Sequence, residues 1–129
     1  MTNAEIGRLG EKLAVRYLKK NGYRILDRNV HESHNELDIV ALDKNEILFV
    51  EVNTRTLDDA DQAVGIAASA VNRTKQKATI AAALKYLKYN VPKRYISRQP
   101  TMDVIEVYLD KESHKLIKIN HIKNAFGIN

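Results

Sequence analysis

Cysteine is absent from these 129 residues, proline occurs twice and glycine five times. Without cysteine there is no disulfide framework and no thiolate metal site. No apolar run approaches the length that crosses a membrane, so no membrane partner is expected. Residues 1–5 (MTNAE) have neither the basic start nor the apolar core of an export signal, which makes a cytoplasmic location the expectation. Repeats, low-complexity tracts and linkers are also missing, so residues 1–129 are predicted to form one domain, large enough to bury a real core.

What is present is a mixed, basic composition. Hydrophobic residues make up 44% and charged residues 29%, with a net charge of +5. That balance describes a globular chain and favours a polyanionic partner, although charge alone discriminates weakly.

The most informative stretch is residues 35–55, NELDIVALDKNEILFVEVNTR. Two strand-like runs, 37–42 and 47–52, flank Asp43, Lys44 and Asn45, which supply turn chemistry and predict a β-hairpin. A two-residue turn sets Val40 opposite Phe49 and Asp38 opposite Glu51. Alternation then puts both carboxylates on the face that carries Val40, Ile47 and Phe49. Facing acids repel and resist burial, so a cation is expected between them. A divalent ion such as Mg²⁺ suits an all-oxygen site. The plainer alternative is a solvated pair at the sheet rim, balanced by Lys or Arg.

Upstream, Ile6, Leu9, Leu13, Ala14, Tyr17 and Leu18 fall at helical spacing over residues 4–21, with Thr2 or Asn3 to cap and Gly22 to stop. Gly7 and Gly10 lie on the apolar stripe, where close approach to a sheet would explain them, and Glu11 stands at its edge. Residues 23–29 alternate as a first strand, and 30–34 read as a polar connection. His31 and His34 are read as solvated or phosphate-adjacent, without a third metal ligand.

Beyond Arg55 come Asp58, Asp59 and Asp61, an Ala-rich stretch, and a helix over about 72–89 with Ile80, Ala83, Leu84 and Leu87 as its buried face. Arg73, Lys75 and Lys77 stand at its N-terminal end, toward the hairpin acids. Lys93, Arg94 and Arg98 bracket a loop that closes at Pro100. Residues 102–109 and 115–119 read as strands, and Asn120 is placed to cap a short final helix with Ile122, Ala125 and Phe126. The predicted fold class is α/β, a mixed central sheet flanked by helices in the order α-β-β-β-α-β-β-α.

The string E-L-D-I-V followed by F-V-E-V-N-T-R resembles the core of the PD-(D/E)XK nuclease superfamily. The opening G-x-x-G-E-x-x-A-x-x-Y-L (Gly7, Gly10, Glu11, Ala14, Tyr17, Leu18), NGYRILDRN, Lys75 leading a helix that ends KYL, MDVIEV and IKNAF extend the match. Together they are similar to the YraN-type family of small PD-(D/E)XK nuclease-like proteins, whose core is shared with archaeal Holliday-junction resolvases. The resemblance covers nearly the whole chain. It implies a restriction-endonuclease-like fold and phosphodiester hydrolysis on DNA, branched or structured. It also implies Mg²⁺ or Mn²⁺ held by Asp38, Glu51 and the Val52 carbonyl, with Glu11 as a third acid.

The chain departs from the family pattern at Asn35 for Gly, Met102 for Phe, and Asn53 at the position of the motif lysine. Alternation aims Asn53 into the same cleft as Asp38. Lys75 or Lys77, or otherwise Arg55, is expected to supply the missing cation. Arg55, Arg73, Lys77, Lys93 and Arg94 are the candidate nucleic-acid contacts. The alternative function is a non-catalytic nucleic-acid-binding module of the same fold, and a protein-interaction scaffold is a third class. A homodimer is compatible with either nucleic-acid reading.

Overall fold

The computed structural model describes residues 1–32, 34–59 and 73–127. Asp61, the Ala-rich stretch after it and Asn72 lie outside the described residues.

Helix α1 (Asn3–Lys20) begins at a capping box. The Thr2 hydroxyl accepts from the Glu5 amide at 3.1 Å, and the Glu5 carboxylate accepts from the Thr2 amide at 3.0 Å. It ends where Gly22 turns left-handed at φ 89°. The Gly22 amide then donates to Lys19 O and the Tyr23 amide to Leu18 O, which satisfies the last carbonyls.

Five strands follow: β1 (Arg24–Glu32), β2 (Asn35–Leu42), β3 (Glu46–Leu57), β4 (Gln99–Asp110) and β5 (Leu116–Phe126). They form one sheet in sequence order. Only β3 and β4 run parallel. A parallel pair needs a crossover, and α2 (Arg73–Tyr89) lies on it.

The two helices cover opposite faces of the sheet. Ala14, Val15 and Leu18 of α1 pack on Ile39, Val50 and Ile105. Ala82, Ala83 and Tyr86 of α2 pack on Val40, Phe49 and Met102, with Tyr86 edge-on to Phe49 at 5.9 Å between ring centres. The α/β class and the mixed sheet are as the sequence predicts.

Several boundaries differ from the sequence reading. The predicted final helix is strand: residues 116–126 pair with β4 from Leu109–Leu116 to Met102–Phe126. Ile122 and Phe126 are four apart, a spacing that fits one helical face and one strand face equally well. A register shift before Phe126 and a left-handed Asn124 (φ 51°) break the alternation that would have marked a strand. Asp103 of β4 holds this bulge, accepting from the Asn124 amide at 2.9 Å and pairing with His121 at 2.7 Å.

Residues 30–32, read as connection, extend β1 by pairing with residues 35–37. On α2 the buried side is Thr79, Ala82, Ala83 and Tyr86, and Leu84 is 50% exposed. The bulk of Tyr86, seated between two alanines and Phe49, sets that rotation. Gly10 does face the sheet, because a Cβ there would fall 1.8 Å from Thr54 Oγ1. Gly7 meets nothing within 4 Å and lines a cavity instead.

Candidate functional site

The hairpin sets the site by coming apart. Its register holds from Leu42–Ile47 to Ile39–Val50 and stops there. Strand β2 continues toward Asn35 on β1, while β3 continues to Leu57 on β4. Asp38 and Glu51 are the first residues past the opening, so they are neighbours across a gap and not a ladder pair. The Val52 amide, left without a β2 carbonyl, donates instead to Asp38 Oδ2 at 2.8 Å.

A cavity of about 590 Å³ fills this opening. Glu11 and Gly7 of α1 line it from one side of the sheet, and Lys75, Ala78 and Thr79 of α2 from the other. Glu36, Asp38, Glu51, Val52, Thr54 and Thr56 form its walls between them. That size is typical of small-molecule and cofactor sites.

The charge inside is strongly acidic. Oxygens of Glu11, Glu36 and Asp38 lie within 4.8 Å of one another. Asn29, itself left-handed at φ 51°, bridges two of them: with its amide nitrogen turned inward it donates to Glu11 Oε2 at 3.2 Å and Glu36 Oε1 at 3.0 Å. Burial pushes the Asp38 carboxyl up to about 6, with Glu11, Glu36 and Glu51 adding to the rise and the Val52 amide opposing it. Glu11 is also raised, first by burial and then by Glu36, against the pull of Arg28.

Glu51 is 7% exposed. Its Oε1 pairs with Lys75 Nζ. Its Oε2 is buried with no hydrogen-bond partner among the described residues. An orphaned buried carboxylate oxygen is costly unless something charged meets it.

The candidate residues thus divide in two. Glu11, Asp38, Glu51, Val52 and Lys75 surround one cavity. The Lys75 ammonium reaches the Glu51 carboxylate from the first turn of α2, and the Thr79 hydroxyl ties that turn by donating to Lys75 O at 2.8 Å. Asn53 does not reach the cleft. It is half-buried on the α2 side, beside Glu106 of β4, and is not among the described lining residues. The reason is the strand opening: past Glu51 the wall on β3 passes to the even-numbered side chains, Thr54 and Thr56.

Arg55, Arg73 and Lys77 are exposed and lie outside the lining. Lys93 and Arg94 stand in a short 3₁₀ turn (Lys93–Tyr95) that leads into β4, at the far end of the hairpin. His31 in β1 and His34 are both exposed, as read, and His34 stands at the cavity wall. Two site residues went unmarked in the sequence, Glu36 and Asn29. Glu36 had a signal, because it stands two residues before Asp38 on one strand. Asn29 had only its tolerance of left-handed backbone.

The fold and the site therefore define an α/β protein whose central sheet opens at one end onto a cluster of carboxylates. The chain belongs to the uncharacterised protein family UPF0102, whose profile matches residues 10–107. A UPF0102 protein of Caldanaerobacter subterraneus subsp. tengcongensis is 44% identical over 121 residues, covering 94% of this chain and 93% of that one. Relatives in Clostridium beijerinckii (40% over 127 residues, 98% and 97% covered) and Alkaliphilus oremlandii (42% over 127 residues, 96% and 99% covered) carry the same family name. Among the described residues, no helix is long and apolar enough to cross a membrane.

Proposed function

We propose that this protein is a divalent-metal-dependent endonuclease-like hydrolase of DNA phosphodiesters, built on a restriction-endonuclease-like fold. The observation that carries the reading is the excess of carboxylate around one cavity. Glu11, Glu36, Asp38 and Glu51 meet there, with Lys75 the one Lys or Arg among the described lining residues. An all-oxygen donor set suits Mg²⁺ or Mn²⁺, and the unpartnered Glu51 Oε2 gives such an ion a ligand already stripped of water. Asp38, Glu51 and Glu11 are the residues that would hold it, with Glu36 at the solvent side and the Val52 carbonyl within the same wall. When bound, the ion supplies Lewis acidity and neutralises the acids that otherwise repel a phosphate.

The remaining chemistry falls to the chain itself. Hydrolysis adds water oxygen to phosphorus and breaks the opposite P–O bond; the water's proton passes to solvent and the departing oxygen takes one up. Lys75 contributes positive charge beside Glu51, where it orients the attacking water and stabilises charge developing on the phosphoryl oxygens. It thus takes the part of the motif lysine that Asn53 cannot play. The half-exposed position of its side chain keeps water at hand.

Calorimetric titration with Mn²⁺ tests the first half: the parent binds and Asp38→Asn does not. Incubation of branched, nicked and single-stranded DNA with Mn²⁺ tests the second. Cleavage by the parent should fall on the order of 10²–10⁴-fold in Lys75→Met, with Mn²⁺ binding retained. A parent that binds Mn²⁺ and DNA but cuts nothing is the non-catalytic binding module instead.

A further inference from the structure

At the end of the hairpin away from the cavity, three arginines gather on one tyrosine. Tyr95 is 7% exposed. The Arg94 and Arg98 guanidinium carbons both lie 4.7 Å from its ring centre. Arg24 Nη1 donates to its hydroxyl at 3.2 Å. Such stacking is favourable for each cation taken singly, but it draws three like charges to one place.

Of the carboxylates among the described residues, only Asp43, which Arg98 helps to hold below the usual carboxylate range, acts on the cluster from a distance. Among the described residues, none of the three arginines has a carboxylate within ion-pair distance. The nearby Asp43 carboxylate is spent on its own turn, accepting from the Asn45 amide at 2.9 Å and the Glu46 amide at 2.8 Å. Arg98 is braced there through the backbone, its Nε donating to Asp43 O at 2.6 Å. Arg24 and Arg94 are exposed at the rim of the cluster. Each guanidinium carries a planar fork of N–H donors that matches phosphate oxygens, and Arg24 and Arg94 expose theirs beside the braced Arg98.

We propose that Arg24, Arg94 and Arg98, gathered on Tyr95, form a second anion site that holds a backbone phosphate of the nucleic acid whose other end lies in the acidic cavity. The proposal rests on the nucleic-acid reading above and gives it a footprint. Arg24 pairs with Leu42, and Leu42 lies four residues from Asp38 along β2. At ~3.3 Å per residue the two sites stand roughly 13 Å apart along the strand. A stacked strand advancing ~3.4 Å per nucleotide must extend about four nucleotides to touch both. The two ends then do different work: the arginine cluster grips, and the cavity acts.

The test uses the full chain and a fluorescent 20-bp duplex in Ca²⁺, read by anisotropy across a salt series, with a trinucleotide as competitor. In Arg24→Gln/Arg94→Gln, duplex affinity should fall about tenfold or more, and the log–log salt slope should drop by about 0.9, the share of one lost phosphate contact. Trinucleotide competition and the heat of Mn²⁺ binding should stay at parental values, which damage to the fold would not allow. If that variant does not fold, Arg24→Lys/Arg94→Lys serves: it should keep the salt slope and lose affinity through the missing fork. A parent that binds duplex with the same affinity and slope as the glutamine variant overturns the second site and leaves the cavity reading standing. A parent that binds no nucleic acid overturns the reading itself.

Discussion

Asp38 shows what the site costs in stability. Its carboxyl, ordinarily near 3.8, is pushed to about 6 in the folded chain by burial and by three neighbouring acids. Between those values the folded state binds more protons than the unfolded state, so stability falls as pH rises through the window. Above it the full penalty stands, about 3 kcal/mol at most for a shift of this size. Asp38→Asn should therefore raise the Tm of metal-free protein at pH 7.5, by about 1–3 kcal/mol of stability and several degrees. The gain should shrink toward zero near pH 4, where the folded Asp38 is already protonated. Added Mn²⁺ should raise the parent's Tm and leave the variant's unchanged, since only the parent retains the ligand. Thermal melts at the two pH values decide it, and an equal Tm difference at both would dispose of the burial argument. That Asp38 and Glu51 lie near one another was legible in the sequence, because hairpin alternation brings both acids to one face; that they stand across a gap and not as a ladder pair was not. The placement of Asn53 was not legible: alternation gives the face of a strand but says nothing about where its neighbouring strand departs.

At the level of the elements, the departure of β2 from β3 makes the cavity, and α1 closes one side of it through a single close approach. Gly10 meets Thr54 so tightly that a Cβ would fall 1.8 Å from its Oγ1 and 2.8 Å from its Cβ. Gly7, three residues earlier, faces open space. The two glycines, equivalent in the sequence, should respond in opposite directions. Gly10→Ala should destabilise by about 1–3 kcal/mol through overpacking, and Thr54→Ala should restore part of that loss by removing the Oγ1 and Cγ2 contacts. Gly7→Ala should stabilise by up to about 1 kcal/mol through helix propensity alone. Urea denaturation of the three variants measures all of this, and a neutral Gly10→Ala would mean that α1 is free to lift off β3. The helix, the hairpin and the alternating β4 were readable because each repeats its pattern over many residues. Strand β5 was not, since its apolar spacing of four is common to helix and strand, and a bulge held by Asp103 breaks the alternation. On α2, Ala83, Ile80 and Leu87 pack on the core as read, and only Leu84 does not, because Tyr86 meets Phe49 on that face, a tertiary contact that no helical period encodes.

Across the whole molecule, the net charge of +5 and the acidic cavity pull in opposite directions on a nucleic acid. Under the proposed function, positive charge at the Tyr95 end would attract the backbone, while Glu11, Glu36, Asp38 and Glu51 would repel a phosphate entering the cavity. A carboxylate about 5 Å from a phosphate costs roughly 3 kcal/mol at an effective dielectric near 20. Lys75, already committed to Glu51, offsets only part of this. DNA affinity should then be conditional on metal. In EDTA the parent should bind a 20-bp duplex weakly, and Ca²⁺ at constant ionic strength should tighten binding by about tenfold or more, equivalent to about 1.4 kcal/mol. Asp38→Asn/Glu51→Gln should reverse the pattern: it should bind more tightly than the parent in EDTA, because two repelling charges are gone, and gain nothing from Ca²⁺. Both proteins should retain the same steep dependence on salt, which the distant arginines govern. If Ca²⁺ leaves the parent's affinity unchanged, or the double variant binds no better than the parent in EDTA, the acids do not face the bound phosphate and the cavity is not where the nucleic acid goes.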